Sequence, residues 1–441
     1  MRRGATLALV IFVALAIAMP ALGGVRKHTL SCGATLLTMP AEWNNMVAVT
    51  VVVDAGSLRD PEKLPGLANL TRAMLMQGTT TRTAPELAEL VDSAGLTIGT
   101  DMSVDNATVY VTAIDSELDL ALEVVTDVLQ RPSFDESRLI EEQRAVYDAI
   151  AKEEDDPFTT PFEKVGEMLF GKHPMGRSAH GTTKSISRIK PAHLIDFHAK
   201  YYTGPRTVIA VVGNFDEKEV VNKLDGLMEE YPSELPPPPM PPLITHDEMR
   251  MTRIFKDVDR SYIAAGFLAP PADHPDFPAF EVMDVVIGMG YGSRLARALG
   301  ETGADLSDSY GSFCRCGQEV SALVVYASTE DPDTVADIID DELSSLTEEP
   351  VSDEELAAAR NRLVGRHERQ GQTNLVRAAR LATYELAGLG FDFADTFLTA
   401  VNRVDKDDIL RVASEWLGEP AVVVVQPGKT APTGRSKRTG I

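Results

Sequence analysis

The chain has 441 residues, 44% of them hydrophobic, which is enough for two or three domains with buried cores. Its formal net charge of −24 argues against binding to nucleic acid or to an anionic membrane surface. Three cysteines are an odd number, so they cannot form a fully paired disulfide framework.

The first 24 residues have the layout of a secretory signal peptide. Two arginines precede an apolar stretch from Ala5 to Ala18, and small residues follow Pro20. This pattern predicts cleavage near Gly23 or Gly24 and export to a bacterial periplasm. An uncleaved membrane anchor is the alternative, although the stretch is shorter than the roughly 20 apolar residues that a spanning helix needs.

The residues that follow predict a series of strands and helices. The β-branched run MVAVTVVV predicts one strand, and LTIGTDMSVDNATVYVTAI predicts further strand structure. Apolar residues at helical spacing predict helices in APELAELVDSAG, over 118–129 and over 136–152. A strand, RTVIAVVGNFD, and a helix, EKEVVNKLDGLMEEY, end this first part of the chain.

A proline-rich segment divides the chain. Between Tyr231 and Glu248 there are seven prolines, which favour an extended linker. We therefore predict an N-terminal domain over 25–235, a linker over 236–247 and a C-terminal domain over 248–441.

The C-terminal part repeats the order of elements seen in the N-terminal part. Strands are predicted in RSYIAAGFLAP, VSALVVYAST and AVVVVQPG. Helices are predicted over 277–289, in PDTVADIIDDELSSL and as one long stretch over 353–389. The repeated order predicts two duplicated α+β domains, each a mostly antiparallel sheet covered by helices.

One helical segment, GLANLTRAMLMQGT at 66–79, resembles the metal-binding helix of the pitrilysin/insulinase family of zinc metallopeptidases, the inverted zincins. The family's helix reads G-L-A-H-F-L-E-H-M-L-F-x-G-T. Other similar segments follow in the family's order: EEDDP, HPMGRSAHGT, YYTGPRTVIAVVGNFD and GSRLARAL. The resemblance covers nearly the whole chain after the signal peptide. It implies the family's duplicated α+β fold, which forms half of a clamshell.

The residues that the family uses for catalysis are replaced in this chain. In H-x-x-E-H two histidines bind zinc and the glutamate activates the metal-bound water. Here the histidine positions hold Asn69 and Ala73, and the glutamate position holds Arg72. The family's third ligand, a glutamate on a second helix, falls on Ala149, whereas a supporting acid is retained as Glu142. An arginine repels a metal cation and cannot act as a base. We therefore expect no zinc and no other cofactor, with Arg72 either paired with Glu142 or solvated.

No other segment predicts a catalytic or metal site. None of the eight histidines has another histidine four residues away. Cys314 and Cys316 lack further ligands nearby in sequence, so they are interpreted as structural, like Cys32. The glycine-rich segment GMGYGSRLARALGETG lacks the Lys-Ser/Thr pair of a phosphate-binding loop.

The resemblance also bears on substrate binding. In two-subunit members of the family, one subunit supplies the zinc motif. The other supplies an arginine and a tyrosine, seven residues apart, that hold the substrate. The matching segment here, 299–307, lacks both residues. The nearby candidates for substrate binding are Arg294, Arg297 and Tyr310.

These features imply a catalytically inactive subunit of a periplasmic heterodimeric zinc peptidase. Its expected partner is an insulinase-like catalytic subunit with an intact H-x-x-E-H, which alone would hold zinc. The expected ligands are peptides or unfolded polypeptide, and nucleic acid is not expected. The alternatives are a stand-alone periplasmic peptide-binding or scaffold protein, or an active metalloendopeptidase with unrecognised catalytic residues.

Overall fold

The computed structural model describes residues 24–234, 250–301, 309–315, 317 and 320–428. The expected signal peptide, except its last residue, and the expected linker lie outside the described residues, as does Cys316. Among the described residues, no helix is long and apolar enough to cross a membrane.

The N-terminal half forms a six-stranded sheet with the order β1-β2-β6-β3-β5-β4. Its strands are β1 (Arg26–Thr29), β2 (Thr35–Pro40), β3 (Met46–Val53), β4 (Thr97–Met102), β5 (Ala107–Ile114) and β6 (Thr207–Gly213). Strands β2 and β6 are parallel, and the other neighbours are antiparallel. Strand β4 therefore lies at an edge of this sheet.

The C-terminal half forms a five-stranded sheet with the order β7-β11-β8-β10-β9. Its strands are β7 (Arg250–Lys256), β8 (Ser261–Ala269), β9 (Tyr310–Arg315), β10 (Ser321–Thr329) and β11 (Ala421–Pro427). Here the parallel pair is β7 with β11, and the other neighbours are antiparallel. Apart from β1, the two sheets have the same strand order and directions, as the repeated sequence pattern predicts.

Helices cover both sheets. The N-terminal half contributes α1 (Leu67–Met74), α2 (Ala84–Ser93), α3 (Leu118–Gln130), α4 (Glu136–Asp155), α5 (Thr159–Phe170), α6 (Thr183–Ile186), α7 (Pro191–Tyr201) and α8 (Glu217–Leu227). The C-terminal half contributes α9 (Phe277–Gly288), α10 (Arg294–Glu301), α11 (Pro332–Glu348), α12 (Asp353–Gln370), α13 (Asn374–Leu386), α14 (Phe393–Val401) and α15 (Lys406–Trp416). The expected α+β class is confirmed.

One predicted helix is wrong in its extent. The stretch over 353–389 is two helices, α12 and α13, because the chain turns between Gly371 and Thr373. The Thr373 hydroxyl accepts a hydrogen bond of 3.2 Å from the backbone N–H of Val376 and so begins a new helix.

One helix from each half packs on the sheet of the other half. Strand β3 is buried on both faces: Val49 and Val51 pack on the helices of the N-terminal half, and Ala48 and Val52 pack on Ala378 of α13. Helix α5 packs in the same way on the second sheet, where Val165 and Leu169 contact residues of β8, β10 and β11. Burial of these apolar faces stabilises the contact between the two halves.

Candidate functional site

Helix α1 begins at a buried carboxylate. The two side-chain oxygens of Asp60 accept hydrogen bonds of 2.7 Å from the backbone N–H groups of Gly66 and Ala68. Burial raises the pKa of Asp60 to about 7, and these hydrogen bonds oppose that rise. Gly66 has a φ of 91°, and a Cβ there would lie 2.6 Å from the carbonyl oxygen of His180. Only glycine suits this conformation and this space, so the start of α1 is closely fixed.

Arg72 is hydrogen-bonded to the residue at one of the family's metal-ligand positions. Its Nη2 donates a hydrogen bond of 3.0 Å to Oδ1 of Asn69. Its Nη1 donates to Oγ1 of Thr100 at 2.8 Å and to the Thr100 carbonyl oxygen at 3.3 Å. Arg72 was expected to be paired with Glu142 or solvated, and neither arrangement is found. The side chain is half-buried and is hydrogen-bonded to the edge strand β4.

Glu142 has a different partner from the one expected. Its Oε1 accepts a hydrogen bond of 2.6 Å from Nε2 of Gln77. Helix α4 places Glu142 and Ala149 on the element that packs against α1. Glu142 therefore connects α4 to the turn that follows α1, through Gln77, instead of neutralising Arg72.

The residues present do not suit a zinc ion. The methyl groups of Ala73 and Ala149 have no lone pair to donate, and the guanidinium of Arg72 is a cation. In the parts of the chain that the structure describes, no group of three or more histidine, cysteine, aspartate or glutamate side chains could hold a metal ion. No catalytic step through zinc follows from this geometry.

A buried tyrosine lies near Arg72. The Tyr202 hydroxyl and Nε of Arg72 are both buried, and neither has a hydrogen-bond partner among the described residues. Burial raises the pKa of Tyr202, and the positive charge of Arg72 opposes that rise. The Tyr202 ring stacks on that of His198 at 4.6 Å between centroids, so its position is fixed by packing.

A cleft of about 970 Å³ lies between the two halves. The N-terminal half contributes the end of α4, one face of α5 and the loop over 176–184, and the C-terminal half contributes residues of β9 and β10. Pro65, just before α1, and Ile150, next to Ala149, both line it. The cleft therefore adjoins the two helices that contain the metal-equivalent positions.

The cleft is lined by charged residues of both signs and by apolar residues. Its acidic residues are Glu153, Glu154, Glu163 and Glu167, and its basic residues are Arg177, Lys184 and Arg315. Burial raises the pKa of Glu163, and the charges of Glu153 and Glu167 raise it further. Burial lowers the pKa of Arg315, and Asp105 and Glu163 oppose that change. Such a lining suits the polar backbone groups of a peptide and peptide side chains of either charge.

The candidate substrate-binding arginines are held by a carboxylate. Arg294 Nε donates to Oε1 of Glu355 at 3.0 Å, and Arg297 pairs with the same oxygen. Burial alone would raise the pKa of Glu355, but hydrogen bonds led by that from Arg294 lower it to about 2. Tyr310 begins β9 and packs against the C-terminal core. The part of the matching segment over 302–308 lies outside the described residues.

The structure adds residues that sequence reasoning missed. Asp60, Gln77 and Thr100 have no motif of their own, since each acts through a contact with a residue distant in sequence or at a helix end. Tyr202 lies in the segment YYTGP, which the resemblance did single out. The cleft residues Glu163 and Arg315 come from different halves, so no local pattern could have paired them.

Comparisons with known proteins agree with this fold. The family model described as insulinase (peptidase family M16) matches residues 37–183, and the model described as the peptidase M16 inactive domain matches residues 188–363. The two matches adjoin each other in the order expected of the family. The chain belongs to the insulinase, or M16, peptidase family, as the resemblance indicated.

Similar proteins come from several bacteria. An uncharacterized zinc protease of Mycobacterium leprae is 29% identical over 353 residues, covering 78% of both chains. An uncharacterized zinc protease of Rickettsia felis is 23% identical over 397 residues, covering 88% of this chain and 93% of that one.

Two solved structures have the same fold. A peptidase M16 inactive domain from Pseudomonas fluorescens matches with a TM-score of 0.85 and 19% identity, covering 93% of this chain and 99% of that chain. A protease from Helicobacter pylori matches with a TM-score of 0.83 and 18% identity, covering 92% and 100%.

Proposed function

We propose that the chain is the non-catalytic subunit of a periplasmic heterodimeric zinc peptidase. The observation that supports this most directly is the side chain of Arg72, which is bonded to Asn69 and Thr100 at the place where the family binds its metal. A cation held there by three hydrogen bonds disfavours a second cation. The methyl groups of Ala73 and Ala149 supply no ligand to compensate.

The role that remains for this chain is to bind and shape the substrate. The cleft of about 970 Å³ is large enough for several residues of an extended peptide, and it adjoins α1 and α4. Strand β4 lies at a sheet edge beside α1 and has no partner strand on its outer side, so a peptide could add there as a further strand if it displaced Arg72 from the Thr100 carbonyl oxygen. The catalytic step would occur in an insulinase-like partner with an intact H-x-x-E-H.

The expected periplasmic location follows from the signal-peptide pattern in residues 1–24. Fractionation of cells that express the full chain tests it. The mature chain is expected among the periplasmic proteins, and retention in the cytoplasm would contradict this part of the proposal.

The decisive experiment compares the chain alone with the chain co-expressed with a candidate partner from the same genome. Native mass spectrometry, zinc analysis and cleavage of a quenched-fluorescence peptide are measured on each sample. We expect no zinc and no cleavage with the chain alone, and a zinc-containing heterodimer with higher activity than the partner alone. Replacement of the glutamate in the partner's H-x-x-E-H by glutamine is the control that should abolish activity.

Two other results would replace this proposal. A chain that remains alone in the presence of every intact family member, yet binds peptides, would be a stand-alone binding or scaffold protein. Cleavage by the chain alone that copurifies with it through several columns, and that a chelator abolishes, would make it an active metallopeptidase.

A further inference from the structure

The last described residue lies beside the cleft between the two halves. The backbone N–H of Gly428, just after β11, donates a hydrogen bond of 3.0 Å to the carbonyl oxygen of Lys256. Nζ of Lys256 donates to Oγ1 of Thr160 at 2.7 Å and to the carbonyl oxygen of Glu154 at 3.2 Å. Thr160 and Glu154 both line the cleft. The chain beyond Gly428 therefore starts within one lysine side chain of the cleft.

Carboxylates are concentrated on this side of the cleft. The acidic edge, as we call it, consists of Glu153, Glu154, Asp155 and Asp156 at the end of α4 and of Asp257 and Asp259 between β7 and β8. Its two parts are neighbours around the Tyr262 hydroxyl, which donates a hydrogen bond of 3.2 Å to Asp259. Burial raises the pKa of Tyr262, and the charges of Asp259 and Asp156 raise it further. Since Tyr262 is paired with Val425 of β11, the acidic edge lies next to the point where β11 ends.

The acidic edge is electrostatically unfavourable by itself. The C-terminal end of a helix carries partial negative charge, so acidic residues there are repelled by the helix and by each other. Glu154, Asp155 and Asp156 are exposed, so their carboxylates are accessible to a cationic partner. A segment with several positive charges would relieve this repulsion.

The chain that continues from Gly428 is basic. Residues 429–441 read KTAPTGRSKRTGI and lie outside the described residues. They contain no acidic residue and four basic ones: Lys429, Arg435, Lys437 and Arg438. The stretch from Lys429 to Arg438 has an extended length of about 33 Å, so its charges can reach both the acidic edge and the interior of the cleft.

We propose that residues 429–441 bind across the acidic edge into the cleft and compete there with peptide substrates. This inference rests on the proposed function, in which the cleft binds peptide. Charge-assisted hydrogen bonds from lysine and arginine to the carboxylates would hold the segment. Because it is covalently attached, its effective concentration at the cleft is on the order of 1 mM, so even weak contacts are sufficient. The segment would thus regulate the access of peptides to the chain.

Zero-length crosslinking of the full mature chain tests where the segment lies. A water-soluble carbodiimide joins a lysine amine to a carboxylate that it contacts, and mass spectrometry identifies the joined pair. Lys437 is the informative lysine, because Lys429 is next to the acidic edge in any arrangement. We expect Lys437 to be joined to the acidic edge or to Glu163 inside the cleft. Asp340 and Asp341, which are exposed on α11, are the control carboxylates and should remain unjoined.

Binding of a labelled peptide tests whether the segment competes for the cleft. The probe is a fluorescent synthetic peptide with the sequence of residues 429–441, and fluorescence anisotropy measures its affinity. The tail variant removes three of the four positive charges: Arg435→Ser, Lys437→Ser and Arg438→Ser. It should bind the probe about 10-fold more tightly than the unaltered chain, because its own segment no longer occupies the cleft. The matched control removes the same charge from exposed sites elsewhere and should bind as the unaltered chain does: Lys218→Ser, Arg369→Ser and Arg403→Ser.

A further pair of substitutions locates the probe. Glu153→Gln and Glu154→Gln, added to the tail variant, should weaken its binding of the probe about 3- to 10-fold. Asp340→Asn and Asp341→Asn, added in the same way, should not change it.

Four results would overturn the inference. They are no crosslink from Lys437, crosslinks as frequent to the control carboxylates as to the acidic edge, equal affinity of the tail variant and the unaltered chain for the probe, or no effect of the Glu153 and Glu154 substitutions. Crosslinking uses the chain alone and needs neither a partner nor zinc. Its failure would therefore leave the heterodimer experiment unaffected, whereas absence of a heterodimer would contradict the proposed function and leave the crosslinks as they are.

Discussion

Oδ1 of Asn69 accepts a hydrogen bond of 3.0 Å from Nη2 of Arg72, one helical turn further along α1. Asn69 is at the position of the family's first histidine ligand, and Arg72 is at the position of its glutamate base. Two residues that would act on a metal in an active relative are therefore bonded to each other here. Nη1 of the same guanidinium donates a hydrogen bond to Oγ1 of Thr100 on β4. Arg72 therefore connects α1 to the edge of the first sheet.

Replacement of Arg72 by alanine is expected to destabilise the chain. The change removes the donors to Asn69 and Thr100 and leaves the buried Asn69 amide oxygen without its partner. The free energy of unfolding should fall by about 1–3 kcal/mol. Urea unfolding measures this, with Arg144→Ala as the control, because Arg144 is exposed on α4. An equal and small effect of both variants would show that the Arg72 contacts do not stabilise the fold.

Restoring the family's ligands is expected to restore a metal site. The variant with Asn69→His, Arg72→Glu, Ala73→His and Ala149→Glu supplies three ligands and the base on α1 and α4. Since these helices already pack together, we expect about one zinc ion per chain by elemental analysis after dialysis.

The matched control for that variant retains Arg72 and changes only the other three residues. Its ligands are complete, but a guanidinium lies among them, so it should bind zinc at least about tenfold more weakly. If neither variant bound zinc, the backbone around α1 and α4 would have departed from the family's geometry.

Local patterns predicted most of the strands and helices. They did not predict that one helix of each half packs on the sheet of the other half. The alternating burial of β5 and the fully apolar β3 follow from the sequence, since period and β-branching are local properties. The apolar face of α13 is also visible in sequence, yet nothing local indicates that Ala378 and Ala382 pack on the other half's sheet. The break before α13 was missed because the residues on both sides favour helix.

The site was predictable only in part, for the same reason. The register of the family motif indicates which residues occupy positions 69, 72, 73 and 149. It does not indicate that Thr100, on a strand 28 residues after Arg72, accepts its hydrogen bonds. The burial of Asp284 was equally hidden, because in the sequence it is only one of two acidic residues, with Glu281, in an otherwise apolar helix.

Glu355→Gln is expected to destabilise the C-terminal half in a pH-dependent way. The folded-state pKa of Glu355, about 2, lies below its unfolded value of about 4.5. Its ionised form therefore stabilises the fold above pH 4.5, and this contribution is lost as the pH falls towards 2. We expect a loss of about 2–3 kcal/mol at pH 7 and roughly half of that, or less, at pH 3.

Denaturant unfolding at pH 7 and pH 3 measures that difference. Glu354→Gln is the control, because Glu354 is exposed in the same turn of α12. A loss that does not depend on pH would mean that Arg294 and Arg297 stabilise α10 without the charge of Glu355.

Asp284→Asn is expected to change stability with the opposite dependence on pH. The folded-state pKa of Asp284 is about 7, above its unfolded value of 3.8, because burial disfavours the charged form. The folded chain thus retains a proton that the unfolded chain releases, so the unaltered protein loses stability as the pH rises from about 4 to about 7. Asparagine does not titrate, and it avoids this loss.

Relative to the unaltered protein, the variant should gain about 2–4 kcal/mol of unfolding free energy at pH 8 compared with pH 4. Thermal unfolding at pH 4 and pH 8 measures the change, with Asp333→Asn as the control, because Asp333 is exposed on α11. A variant less stable at pH 8 than at pH 4, relative to the unaltered chain, would mean that hydrogen bonding from Ser312 to the ionised carboxylate outweighs the effect of burial.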